Sequence, residues 1–176
     1  VSEGVSDEAK SATPKPSRFN KYRWFWLLAI LIYFSDQLSK YWIASKLTYP
    51  TYGEQAGAIV IIRGFMNLVH VGNTGAAWSM FYGNSAALAL LALLALAAIF
   101  VWRNAIGLKA IYTQLCFGLL CGGILGNLTD RILHGHVVDF IDLHFGTYIY
   151  PTFNIADSGI CVGVFLYLFE SFKSQD

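Results

Sequence analysis

The apolar side chains of this chain fall into long uninterrupted runs separated by short mixed segments. Runs at 24–43, 86–102, 111–133 and 155–172 are each close to the ~20 residues that cross ~30 Å of hydrocarbon as a helix, which predicts four transmembrane helices. The first run is too long for the core of a cleaved signal peptide and carries Asp36 and Lys40 near its far end, so it is expected to remain as a span. Between the first two runs, residues 58–62 and 65–71 are rich in β-branched and aromatic side chains and are joined by Arg63-Gly64, the pattern of a hairpin. A small β element is expected there. Trp78, Phe81 and Tyr82 just beyond it suit the headgroup boundary, where amphipathic rings settle. Residues 1–17 hold almost no large apolar side chain and are read as a disordered cytoplasmic tail, leaving 18–176 as a single membrane-embedded domain.

Composition agrees with the pattern: 56% of the 176 residues are hydrophobic and 13% charged, so most of the apolar surface must face lipid. A net charge of +1 gives no basic field, and with no recognition motif present nucleic acid is excluded as a partner. Lys15, Arg18, Lys21 and Arg23 precede the first run, Arg103 and Lys109 separate the second from the third, and Lys173 follows the fourth. Short basic flanks stay inside, so both termini are expected in the cytoplasm. Cys116, Cys121 and Cys161 lie in apolar runs without metal-type spacing and are read as small hydrophobes. Gly118, Gly122 and Gly126, with Gly123 beside them, and Gly159 and Gly163 mark close helix contacts.

Asp36 and Lys40, then Asn127, Asp130 and Arg131, then Asn154, Asp157 and Ser158 all fall near the outer ends of predicted spans, with Asp139 tethered close by in the connecting loop. Each has an ordinary explanation. Asp36 and Lys40 are spaced as an i,i+4 ion pair, Asp130 and Arg131 as a helix-end cluster, and Asn154 and Asp157 as a capping box. Asp139 is a loop carboxylate that Arg131 or the backbone would satisfy. Together the carboxylates also suit another role. Two close carboxyls in a low-dielectric site cannot easily both ionise, so one supplies an acid and the other a base for attack of water on an amide, without metal or cofactor. Asp157, in a helix first turn, is the favoured anion, and Asp139 the proton carrier. Zinc held by His134, His136, Asp139, Asp142 and His144 is the competing chemistry, though the spacing matches no helical or finger pattern. A serine nucleophile is weaker still, since neither Ser79 nor Ser158 lies in GxSxG. A small ion-coupled transporter and a structural assembly partner remain as rival readings of the polar cluster.

Five segments in order, Ser35-Asp-Gln-Leu-Ser-Lys40, Asn73-Thr-Gly-Ala-Ala-Trp-Ser79, Gly122-Gly-Ile-Leu-Gly-Asn-Leu-Thr-Asp-Arg131, Val137-Val-Asp-Phe-Ile141 and Phe153-Asn-Ile-Ala-Asp-Ser158, resemble the motifs of bacterial lipoprotein signal peptidase, signal peptidase II. The likeness covers about 24–172, with Trp78 where the family more often has phenylalanine and Gly159 where alanine is usual. It implies an α-helical integral membrane protein with four transmembrane helices and a small extracytoplasmic β-sheet cradle, in the bacterial inner membrane. It implies an aspartic endopeptidase that cuts a prolipoprotein just before its diacylglyceryl-modified cysteine, with Asp139 and Asp157 as the catalytic pair and no cofactor or metal. Asp36, Lys40, Asn73, Gly75, Asn127, Arg131, Asn154 and Ala156 would bind substrate or brace the pair. Globomycin-type cyclic peptides would inhibit it, membrane lipids would surround it, and the chain is expected to act as a monomer.

Overall fold

The first helix turns its charges inward and its apolar side chains outward, the reverse of a soluble amphipathic helix. In the computed structural model, which describes residues 21–75 and 80–173, this helix, α1, spans Arg23–Lys46. Ala29, Asp36, Lys40 and Ile43 are buried along one face, while Leu27, Leu31, Phe34 and Leu38 are more than half exposed on the other. The expected tail at 1–17, the flanking charges Lys15 and Arg18, and Trp78 and Ser79 lie outside the described residues.

Three further helices follow: α2 (Ser85–Trp102), α3 (Ile111–His134) and α4 (Ile155–Lys173). These three are long and apolar enough to cross a membrane. Their bounds lie within one residue of the expected ones, because an apolar run of spanning length can satisfy its backbone in lipid only as a helix. α1 is long enough, about 36 Å at 1.5 Å per residue, but its inward polar residues keep it from matching the other three in composition. α2 has no buried residue at all and offers leucines on every side, the character of a helix surrounded by lipid.

α3 is the hub, packing against α1 on one side and α4 on the other. Glycine makes both contacts possible. A Cβ on Gly122 would stand 2.6 Å from the Ala29 carbonyl oxygen of α1, and one on Gly163 would stand 2.6 Å from the Cys116 carbonyl oxygen of α3. The two backbones therefore approach as only small residues allow.

The polar segments form one four-stranded antiparallel sheet in the order β1 (Ile59–Ile62), β2 (Met66–Asn73), β3 (Val137–Phe145) and β4 (Tyr148–Ile149). The expected hairpin is β1–β2, turning through Gly64 at φ +74°. β3 is a correction to the expectation: Asp139 stands on a strand, paired opposite Val71, and not in a loop. Helix α3 stops at Gly135, whose left-handed conformation lets its N–H cap the Arg131 carbonyl at 3.1 Å and turns the chain straight into β3. Phe153 then bridges to Ile141, so the chain entering α4 is stitched to β3 before the helix begins.

Candidate active site

Asp139 is presented by the middle of the sheet. Its neighbours Val137 and Leu143 share its face, which looks into a cavity of about 1270 Å³ between the sheet, α2, α3 and α4. Asp142 and His144 belong to the opposite face by the same alternation. They pair with each other there, His144 Nε2 lying 2.6 Å from Asp142 Oδ2. The five-residue zinc set is thus not gathered: His134 ends α3, His136 stacks on Tyr49, and Asp139 stands on the opposite face of β3 from Asp142 and His144.

Asp157 reaches the same place from the first turn of α4. Asn154 accepts from the Asp157 backbone N–H at 2.9 Å while Asp157 accepts from the Asn154 N–H at 3.2 Å, a reciprocal capping box. The amide of Asn154 also donates to Asp139 Oδ1 at 2.7 Å, so one fully buried asparagine touches both aspartates. Asn73, from the end of β2, donates to Asp139 Oδ2 at 2.9 Å. Asn127, from α3, donates to Asp157 Oδ1 at 2.7 Å and accepts from Asn154 Nδ2 at 3.2 Å. Three amides thus hold two carboxyls, and the two that reach Asp139 favour its ionised form.

Their environments differ. Asp139 is 2% exposed, and burial, reinforced by the nearby charge of Asp157, pushes its carboxyl up to about 7 against the opposing donors Asn73 and Asn154. Asp157 is half-buried on the cavity wall.

Behind this pair lies a buried ion triad. Lys40 Nζ is 2.8 Å from Asp36 Oδ2 and 2.7 Å from Asp130 Oδ2, and donates to Asn127 Oδ1 at 3.0 Å. The i,i+4 pair expected within α1 is therefore real, but it extends to α3. Asp36 accepts the Ala156 backbone N–H at 2.9 Å, which is how Ala156 enters the site. Gln37, which the sequence did not single out, donates to Asp130 Oδ1 at 3.0 Å. The expected cluster of Asp130 with Arg131 does not form. Arg131 instead lines the cavity and donates to the carbonyl oxygens of Gly75 at 2.9 Å and Asn127 at 3.3 Å. Asn73 Oδ1 in turn accepts the Gly75 N–H at 2.8 Å, fixing the loop that leaves β2. Asp139 is satisfied by amides, not by Arg131 or the backbone. All ten residues expected at the site are thus connected through contacts within this cluster.

Much of the remaining cavity wall is apolar, with Thr152 and Ser158 among its polar members. Leu91, Ala92 and Ala95 of α2 face Ile160, Cys161 and Val162 of α4 across it. Two carboxyls joined through Asn154 at the head of this cavity can hold a water and a carbonyl together and move a proton between them.

The profile of the Signal peptidase (SPase) II family matches residues 28–173. A lipoprotein signal peptidase of Shewanella baltica (strain OS155 / ATCC BAA-1091) is 36% identical over 161 residues, 86% of either chain. One from Pseudomonas fluorescens (strain Pf0-1) is 36% identical over 163 residues, covering 90% of this chain and 92% of the relative. Among solved structures, a bacterial membrane enzyme determined by the in meso method at 2.3 Å resolution is similar with a TM-score of 0.78 and 30% identity, over 94% of this chain and 95% of its own. A second, at 1.9 Å resolution, gives a TM-score of 0.74 at 30% identity over 92% and 99%.

Proposed function

We propose, from the premise that the chain belongs to the signal peptidase (SPase) II family of multi-pass membrane proteases that cleave lipoprotein signal peptides, that it does so as an aspartic endopeptidase with Asp139 and Asp157 as the catalytic pair. The observation that carries this reading is Asn154, whose single side chain joins the two carboxylates at the head of the apolar cavity.

Asp139, which keeps its proton up to about pH 7, polarises the scissile carbonyl by donating to its oxygen. Asp157, at the positive end of α4, accepts a proton from the attacking water, whose oxygen bonds to the carbonyl carbon. The tetrahedral intermediate collapses as a proton returns to the leaving amine and the C–N bond breaks. Arg131, with Asn73 and Gly75, borders the cavity beside the pair and positions the scissile segment.

The substrate is a prolipoprotein cut just before its diacylglyceryl-modified cysteine. The apolar wall between α2 and α4 suits acyl chains lying alongside a peptide at headgroup depth. Globomycin-type cyclic peptides occupy the same cavity. α1 acts as the fourth span: its outward face of Leu27, Leu31, Phe34 and Leu38 suits lipid, and its charges are spent inside the bundle. Both termini lie in the cytoplasm, the sheet and site lie at the outer face of the inner membrane, and the chain works as a monomer without metal.

Cleavage of a diacylglyceryl prolipoprotein in lipid or detergent tests the pair. Asp139→Asn and Asp157→Asn each lower the rate by at least about 100-fold, the scale of a lost general acid or base, while helical circular dichroism is unchanged. Full activity in either variant, or loss with EDTA and recovery with zinc, refutes the reading.

A further inference from the structure

Two buried carboxylates outside the proposed reaction share an unexpected arrangement. Asp36 accepts the backbone N–H of Ala156, the residue immediately before Asp157, at 2.9 Å. Asp130 accepts the backbone N–H of Val138, the residue immediately before Asp139, at 3.1 Å. Lys40 joins the two, at 2.8 Å and 2.7 Å. It also donates to Asn127 Oδ1, which orients that amide so that its Nδ2 meets Asp157. Neither Asp130 nor Lys40 borders the cavity, so neither contacts substrate.

Helix packing alone does not call for such a triad. Asp36, Lys40 and Asp130 are 0%, 4% and 2% exposed, and replacing buried ion groups by apolar side chains is often neutral or stabilising for a fold. What the triad does that apolar packing cannot is fix two backbone positions, one on β3 and one on α4, to a common cation on α1.

We infer that Asp130 is a positioning residue that, with Lys40 and Asp36, sets the separation of the two aspartates by holding the backbone just before each; this rests on the reading of Asp139 and Asp157 as the reacting pair. Asp130 Oδ1 is itself held by Gln37 Nε2 at 3.0 Å, so both of its oxygens are committed.

Of the charged groups, Asp157 of α4 and Lys40 of α1 act on Asp139 directly and Arg131 of α3 lies near both aspartates, while Asp36 and Asp130 are tied to Lys40; His70 of β2 is engaged with the Leu47 carbonyl oxygen. Asp130→Asn keeps an oxygen for the Val138 N–H but removes one negative charge from this set. The expected result in the prolipoprotein assay is a fall in kcat of at least about tenfold with KM within about twofold. The alkaline limb of the pH profile should move to lower pH by about half a unit or more, because Lys40, less neutralised without the Asp130 charge, then favours ionised Asp139 more strongly. A merely structural role lowers activity without moving that limb.

Lys40→Gln combined with Asp130→Asn restores the net charge of the triad. It should return the limb to the wild-type position while kcat stays low. If Asp130→Asn does not fold, Lys40→Gln alone carries the test: it removes the cation that favours ionised Asp139, so kcat should fall and the limb should move to higher pH. Wild-type kcat or an unmoved limb in the single variant that carries the test overturns the inference. Asp139→Asn and Asp157→Asn run alongside: full activity in those refutes the catalytic pair itself, a different outcome from a failure confined to Asp130.

Discussion

Asp139→Asn should make the protein inactive and, above neutral pH, more stable. The wild-type carboxyl has an ordinary pKa of 3.8 and is held at about 7 in the fold by burial and by Asp157. A folded pKa above the unfolded one means that the fold favours the protonated form. Its contribution is fully present below about pH 4, is lost as pH rises towards 7, and is flat beyond. At 1.36 kcal/mol per pH unit, the wild type loses roughly 3 kcal/mol between pH 5 and pH 8 that asparagine, which does not titrate, keeps. Asparagine also alters the contacts with Asn73 and Asn154, since one of its two ends donates where the carboxylate accepted. That cost, about 1–3 kcal/mol, is independent of pH and cancels when the gap between variant and wild type is compared at the two pH values. With 2–4 °C per kcal/mol for a chain of this size, the gap in Tm should widen by roughly 6–12 °C from pH 5 to pH 8. Thermal unfolding in one detergent at both pH values measures it. A gap that stays constant refutes the claim that Asp139 is held protonated near neutrality.

Two further outcomes follow from the same geometry. Asn154→Ala removes the N-cap of α4, costing about 1 kcal/mol of stability, and takes a donor from Asp139, so the alkaline limb of the cleavage profile should move to higher pH, opposite to the Asp130→Asn shift. Gly122→Ala places a Cβ 2.6 Å from the Ala29 carbonyl oxygen and should lower stability in thermal unfolding by about 1–3 kcal/mol without moving the pH profile, because the contact lies away from the aspartates.

The helices were legible because length and apolarity leave a lipid-embedded segment one solution, and the capping box was legible because its signal is local. β3 was not. In Val137–Phe145 the cavity face carries Asp139 and the opposite face Asp142, so neither face shows a clean apolar alternation and the segment reads as loop. The partner of Asp130 was misjudged for a different reason. Adjacent helical residues point about 100° apart, so Asp130 turns to Lys40 on α1 while Arg131 turns to the cavity. Sequence neighbours suggested a pair that helix geometry forbids. Gln37 carries no signal of its own, since its role depends wholly on what α3 brings alongside.

Asparagine around the pair fits the proposed reaction. A lysine or arginine in direct contact with Asp139 would draw its carboxyl back towards the usual range and leave no proton to donate near neutral pH. The structure keeps its cations one step removed. Lys40 acts through Asn127 and the two carboxylates of the triad, and Arg131 gives hydrogen bonds to carbonyl oxygens. Asn73, Asn127 and Asn154 fix the aspartates in space, and as neutral donors they favour the charged carboxyl less strongly than a cation in direct contact would. The proposed reaction would need the pair held rigidly with a proton still on Asp139 near neutral pH, and amide contacts backed by more distant ions are compatible with both.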